Sequence, residues 1–153
     1  MDRRVFLKGA LASAVTTVTS ASLLLSNTAF AAWPKEAMKA KNMTDAVKHI
    51  AGNEGEVSDK VKIKAPEIAE NGAVVPVTVD ADGIQGVTKI SIFAEKNNSP
   101  LVASFDIPEG SLPYVSTRIK MGKTSNVVAL VHTKDKVYRG SKEVKVTIGG
   151  CGG

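Results

Sequence analysis

Few side chains in this 153-residue chain could do chemistry unaided: it has one cysteine, Cys151, and two histidines, His49 and His132. Cys151 stands in the run Gly149-Gly150-Cys151-Gly152-Gly153 and has no partner within the chain for a disulfide. A lone cysteine ordinarily behaves as a small buried hydrophobe, but glycines on both sides leave nothing to bury it. Glycine loses more backbone entropy on ordering than any other residue, so such a thread reads as a flexible arm outside the folded core. From Ile148 to Cys151 it spans at most about 10 Å. An exposed thiol titrates near about 8.5, which leaves only a few per cent as thiolate at neutral pH. The nearby carboxylate of Gly153 favours the protonated form further. Activation must then come from whatever receives the arm, which suits a carrier better than a catalyst.

Other site chemistries fail on residue type or spacing. One cysteine and two histidines cannot build a tetrahedral zinc site, and no HExxH, phosphate loop or GxSxG elbow occurs. His49 has no ligand types beside it and reads as a surface or half-packed residue. A Cys–His nucleophile pair would need His49 or His132 beside Cys151. His132 falls within an expected strand and His49 at the far end of the chain, so a flexible tail would touch either only transiently. We expect no catalytic residue, no metal site and no bound cofactor. An exposed free cysteine is a liability in an exported protein, which favours a working thiol over a decorative one.

The elements that position this arm follow from the periodicity. Residues 1–31 read as a twin-arginine signal: Arg3-Arg4-Val5-Phe6-Leu7-Lys8, an uncharged stretch from Gly9 to Leu25, and the small-residue site Ala29-Phe30-Ala31. That signal implies export to a periplasm and a mature chain from Ala32. The threonines and serines between Thr16 and Ser22 weaken the alternative of a membrane anchor. Residues 32–58 are expected to be helical, with Met43, Ala46, Val47 and Ile50 on one face, Pro34 opening a further turn and Gly52 as the stop.

From residue 59 to 148 the period is two. Strands are expected around Val61–Ala65, Val75–Val79, Ile90–Ala94, Leu101–Ile107, Val115–Met121, Val127–His132 and Val144–Ile148. Pro76 suggests an edge strand or a bulge there, and Gly140 a bulge in the last strand. Val127–His132, apolar on both faces, should be central. About seven short strands with turn signals every 8–14 residues or so describe a mainly β protein, a Greek-key β-sandwich with a short N-terminal helix, ending in a flexible Gly-rich arm at 149–153.

Charge and composition narrow the partners. The formal net charge is +5 over the whole chain, and removing Arg3, Arg4, Lys8 and Asp2 with the leader lowers it to about +3. Basic and acidic residues are interspersed and aromatics make up 5%, so no stacking platform for nucleic acid is expected. No stretch after residue 31 is apolar enough for a membrane helix.

The ending Val144-Lys145-Val146-Thr147-Ile148-Gly149-Gly150-Cys151-Gly152-Gly153 resembles that of the SoxY family, sulfur-carrier subunits of the periplasmic thiosulfate-oxidising Sox system. Pro66-Glu67-Ile68-Ala69-Glu70-Asn71-Gly72 with Val75-Pro76-Val77, and Ser116-Thr117-Arg118-Ile119, are similar to two further stretches of that family. Asn97-Asn98-Ser99-Pro100 departs from it, since many relatives have an Asn-Pro pair there. The resemblance implies an immunoglobulin-like β-sandwich of about seven strands, a heterodimer with a second small β-protein, SoxZ, and covalent attachment of substrate to Cys151. It further implies that a haem-containing c-type cytochrome partner joins thiosulfate oxidatively to the thiol, giving a cysteine S-thiosulfonate. A metal-dependent hydrolase then releases sulfate and leaves a persulfide, and a sulfane dehydrogenase, where present, oxidises the remaining sulfur.

Two other readings stay open from the residues alone. One is a plain sandwich module for binding or structure. The other is a ubiquitin-like sulfur carrier that uses the terminal carboxylate of Gly153; the cysteine before the final glycine pair and the export signal both oppose it.

Overall fold

The computed structural model describes residues 34–147. The expected signal segment and the Gly149–Gly153 arm therefore lie outside the described residues. The helical stretch forms two pieces, α1 (Lys35–Lys39) and α2 (Met43–Ala51). The break comes at Asn42, which is extended and caps α2: its side chain accepts from the Asp45 backbone N–H at 2.9 Å. Gly52 ends α2 at φ 74°, the left-handed conformation that glycine adopts without penalty.

Nine strands follow among the described residues. They are β1 (Glu56–Val57), β2 (Lys62–Lys64), β3 (Ile68–Ala69), β4 (Val75–Asp80), β5 (Val87–Ala94), β6 (Leu101–Asp106), β7 (Tyr114–Ile119), β8 (Ser125–Thr133) and β9 (Val137–Val146). One sheet runs β1-β9-β8-β5-β6, with β3 also pairing β9; the other runs β2-β4-β7. This is the immunoglobulin-like division into two sheets. The seven expected strands all occur. The two additional ones, β1 and β3, are two residues each, too short to show a period of two, and both run parallel to β9. The sandwich thus begins at Glu56, inside the stretch expected to be helical.

β8 is the middle strand of the large sheet, as its apolar faces require. Its Val127, Ala129 and Val131 meet Ile90, Ile92 and Ala94 of β5 and Val75, Val77 and Val79 of β4 in the core between the sheets. Its Val128 and Leu130 point the other way and pack with Phe93 and Leu101 against Ala37, Ala46 and Val47 of the helices. The helices are a third layer that covers what would otherwise be an exposed apolar sheet face. Each large side chain so buried stabilises the fold by about 1.5–3 kcal/mol. The Ser99 hydroxyl donates to the Met38 carbonyl and ties the β5–β6 turn to α1.

Two local expectations resolve differently. Pro76 lies in the middle strand of the small sheet, opposite Arg118 of β7, but past the last residue of β4 that pairs with β2. β4 therefore has a neighbour on only one side at that point, and the missing N–H is tolerated. Gly140 is no bulge: it pairs with Ala129 in an unbroken register. Its glycine is required by packing, since a Cβ there would stand 2.7 Å from the Val61 carbonyl oxygen and 2.8 Å from Val61 Cγ1. Gly140→Ala should therefore cost about 1–3 kcal/mol in urea unfolding. An unchanged midpoint would show that Val61 can move aside freely.

Candidate functional site

Cys151 and its flanking Gly149, Gly150, Gly152 and Gly153 lie outside the described residues, so the candidate site is described by the place from which they spring. That place is the end of β9. On its inner side β9 pairs with β8 over eight registered positions, from Val137↔His132 to Val144↔Ser125. Its outer side is covered piecewise. β1 pairs opposite Tyr138 and Arg139, the Ser58 N–H donates to the Arg139 carbonyl at 2.9 Å, and β3 pairs opposite Lys145 and Val146, while Val61 packs on Gly140 from the core face.

The last described residues are clasped from both sides. On the outer side the Lys145 N–H donates to the Glu67 carbonyl at 2.9 Å, and the Thr147 N–H to the Ala69 carbonyl at 3.2 Å. On the inner side β8 has ended, and a side chain takes over from its backbone: Thr124 Oγ1 accepts from the Val146 N–H at 2.9 Å. The same hydroxyl lies 3.4 Å from the Val146 carbonyl, to which it donates.

Thr124 is in turn held by its neighbours. Asn97 Nδ2 donates to the Lys120 carbonyl at 2.7 Å, and Asn97 Oδ1 accepts from the Gly122 N–H at 2.9 Å. The Met121 N–H donates to the Gly72 carbonyl at 2.7 Å. Gly72 must be glycine, because a Cβ would lie 2.5 Å from the Met121 carbonyl oxygen and 2.8 Å from Val146 Cγ1. Three turns, 70–74, 95–100 and 120–124, are thereby stitched together around the end of β9.

Neither Thr124 nor Asn97 stands out in the sequence as part of this clasp, because hydrogen bonds across 22 and 25 positions of sequence leave no local signal.

The histidines sit elsewhere. His49 is exposed on α2. His132 is in β8, as expected, opposite Val137. From Val137 to Thr147 is about 33 Å along the strand, whereas four residues from Thr147 to Cys151 span at most about 14 Å. The transient contact that the sequence allowed between Cys151 and His132 is thus beyond reach within one copy of the chain. Among the described residues no group of three His, Cys, Asp or Glu side chains could hold a metal ion, and no helix is long and apolar enough to cross a membrane.

His132 does carry one consequence. Its Nε2 is buried without a hydrogen-bond partner. Burial, and secondarily the Lys89 ammonium, hold its pKa below the ordinary 6.5.

The two stacked sheets, the helical cover and the clasped last strand define an immunoglobulin-like β-sandwich. Residues 47–151 match the family described as sulfur oxidation protein SoxY. The chain belongs to the SoxY family. The sulfur carrier protein SoxY from Chlorobium limicola f thiosulfatophilum is similar in structure, with 50% sequence identity and a TM-score of 0.61, over 69% of this chain and 96% of that one. No curated protein matches the chain.

Two outcomes are expected. Thr124→Val should cost about 1 kcal/mol, because the Val146 N–H loses its acceptor in a half-buried place. Hydrogen exchange at Val146 should then accelerate, while Thr124→Ser keeps it slow; equal rates in all three proteins would remove the clasp from the account. For His132, the unfolded chain takes up a proton at the ordinary pKa and the folded chain only at a lower one. Its contribution to stability is therefore complete above about pH 6.5 and is lost as pH falls from there through the folded value. His132→Gln should flatten that part of the stability profile, as measured by urea unfolding from pH 7.5 down to 4.5 or so.

Proposed function

We propose that this chain is a covalent carrier of sulfur intermediates in thiosulfate oxidation, with Cys151 as the attachment point and Gly149, Gly150, Gly152 and Gly153 as the flexible arm around it. The observation that carries this reading is the family match, whose last matched residue is Cys151. The likeness to a sulfur carrier protein over nearly all of that protein's length supports it. The clasp on Val146 and Thr147 supports it physically, because a tether delivers its end reproducibly only from a fixed origin.

In this reading thiosulfate joins the thiol with loss of two electrons. The Cys151 sulfur and the outer thiosulfate sulfur form a bond, the thiol proton leaves, and a c-type haem protein takes the electrons. The product, Cys–S–S–SO3⁻, then reacts with water. The S–SO3 bond breaks, sulfate and two protons depart, and Cys–S–S⁻ remains. A metal-dependent hydrolase performs that second step, and a sulfane dehydrogenase, where present, oxidises the persulfide. The chain itself catalyses neither step and binds no cofactor. It works in the periplasm, exported by its twin-arginine signal, as a heterodimer with a SoxZ-like small β-protein, and contacts the enzymes transiently.

Cys151→Ser should abolish thiosulfate-dependent electron flow and remove every sulfur adduct from the intact mass, with unfolding behaviour unchanged. Adducts that persist in that variant would overturn the reading. A thiocarboxylate on Gly153 in place of an adduct on Cys151 would establish the ubiquitin-like alternative instead.

A further inference from the structure

Of the asparagines in the chain, Asn71 alone is followed by glycine. An asparagine carboxamide is open to attack by the backbone nitrogen of the next residue. A side chain on that residue obstructs the approach, and glycine has none.

The 70–74 turn favours this attack in three ways. Asn71 Oδ1 accepts from the Ala73 N–H at 2.9 Å, which folds the carboxamide back over its own chain. The same donor polarises the carboxamide carbonyl, as a fixed N–H does for a developing oxyanion. The Gly72 N–H has no hydrogen-bond acceptor among the described residues, so its nitrogen is not committed elsewhere. Asn71 and Ala73 are exposed, so water reaches the carboxamide and carries the leaving group away.

Packing forbids the simplest protection, a side chain at position 72. A Cβ there would stand 2.5 Å from the Met121 carbonyl oxygen and 2.8 Å from Val146 Cγ1. The contact that seats the end of β9 therefore fixes a labile pair beside it. Other asparagines lack this combination. Asn42 caps α2 ahead of Met43, and Asn97 spends both ends of its amide on Lys120 and Gly122. Asn126 donates to Glu95 and precedes the β-branched Val127.

We propose that Asn71 is a self-modification site that converts to aspartate and isoaspartate, and that isoaspartate there releases the turn from the end of β9. The Gly72 nitrogen bonds to Asn71 Cγ, the Cγ–Nδ2 bond breaks, and Nδ2 leaves as ammonia with the proton of the Gly72 N–H. Water then opens the cyclic imide. Breaking the new bond to Cγ leaves aspartate in an unaltered chain. Breaking the original peptide bond leaves isoaspartate: the chain now runs through Cβ and Cγ, one carbon longer, and the former carbonyl of residue 71 is a carboxylate. Neither an oxidant nor a reductant takes part.

The consequence falls on the Gly72–Met121 contact. In isoaspartate the carbonyl that accepts from the Val74 N–H at 3.3 Å has left the main chain. The extra carbon displaces Gly72, whose own carbonyl accepts from the Met121 N–H at 2.7 Å. Gly72 sits in a close-packed place with no room for even a Cβ, so the displacement opens the contact. Aspartate keeps both the chain and the Oδ1 acceptor and leaves it closed. The inference is independent of what Cys151 carries.

The test incubates the mature chain, as purified from the periplasm, at mildly alkaline pH beside a peptide of residues 66–76, and maps both by mass. Exchange of the Asn71 amide for a carboxyl should precede change at every other asparagine, with isoaspartate as the larger product. An Asn71 that stays intact in the chain while the peptide converts overturns the site. Isomerisation at Asp82-Gly83 also yields isoaspartate but leaves the mass unchanged, so it is told apart. Hydrogen exchange at Met121 should be about tenfold faster in the isoaspartate fraction than in fresh chain, and unaltered in Asn71→Asp. Equal rates in all three overturn the release. Asn71→Ser keeps a hydroxyl for the Ala73 N–H but forms no imide, so its Met121 exchange should stay slow after the same incubation. Acceleration in that variant would assign the loosening to another residue and overturn the release as well.

Discussion

Pairing of β9 along both of its edges is the constraint on which the arm end depends. A last strand paired on one side only would fray from its terminus, because each terminal residue would gain one partner for the backbone entropy it loses. Here the outer side is occupied in turn by β1, by the Ser58 N–H on the Arg139 carbonyl and by β3. The inner side is occupied by β8 and then by the Thr124 hydroxyl. Ordered backbone thus persists to Thr147, only four residues before the cysteine. The glycines begin two residues after it in the sequence.

The same constraint accounts for features that look unrelated when taken singly. The two short parallel strands β1 and β3 add little core of their own: β1 is exposed, and Ala69 alone is buried in β3. Their use is to close the free edge of β9, which would otherwise offer unpaired N–H and C=O groups to any passing strand. Gly140 and Gly72 serve one end as well. Both remove a Cβ so that a neighbouring segment can lie flat against β9, Val61 in one case and the Met121 turn in the other. Behind this, the large sheet must be covered on two faces, because Val128, Leu130 and Phe93 are as apolar as Val127, Val131 and Ile92 on the reverse. The small sheet covers one face and the two helices the other.

Legibility in the sequence followed locality. Alternation of Val75, Val77 and Val79, or of Ile90, Ile92 and Ala94, is a property of a few consecutive residues, and those strands were readable. So was the centrality of β8, since a strand apolar on both faces has to be covered twice. The break between α1 and α2 was not read, although Asn42 with Asp45 three residues on is a recognisable cap; the apolar face of Met43–Ile50 was instead joined to Pro34 as one stretch. β3 escaped because two residues have no period. Gly140 misled for a different reason. A glycine inside a strand signals either a bulge or a close approach, and only the position of Val61, far away in sequence, decides between them. The cysteine and its glycines were conspicuous from composition alone, whereas Thr124 and Asn97 became visible only once three turns had been brought together.

What the domain keeps away from the arm is as informative as what it holds. The histidine that could in principle deprotonate a thiol, His132, lies at the far end of the β8–β9 pair, about 33 Å along the strand from the arm root. Its Nε2 is buried without a partner, and its pKa is held low by burial and by Lys89. It is thus a strand residue enclosed by packing, whose protonation costs stability, rather than a base facing a substrate. The immediate surroundings of the arm root are backbone amides, Thr124, Asn97 and surface charges of both signs, none of which abstracts a proton from a thiol at neutral pH. In the carrier reading proposed above, activation of the thiol therefore falls to another protein that supplies a base or an electron acceptor. A carrier needs that restraint, because a self-activating cysteine in an oxidising compartment would form disulfides with its own kind before any enzyme reached it.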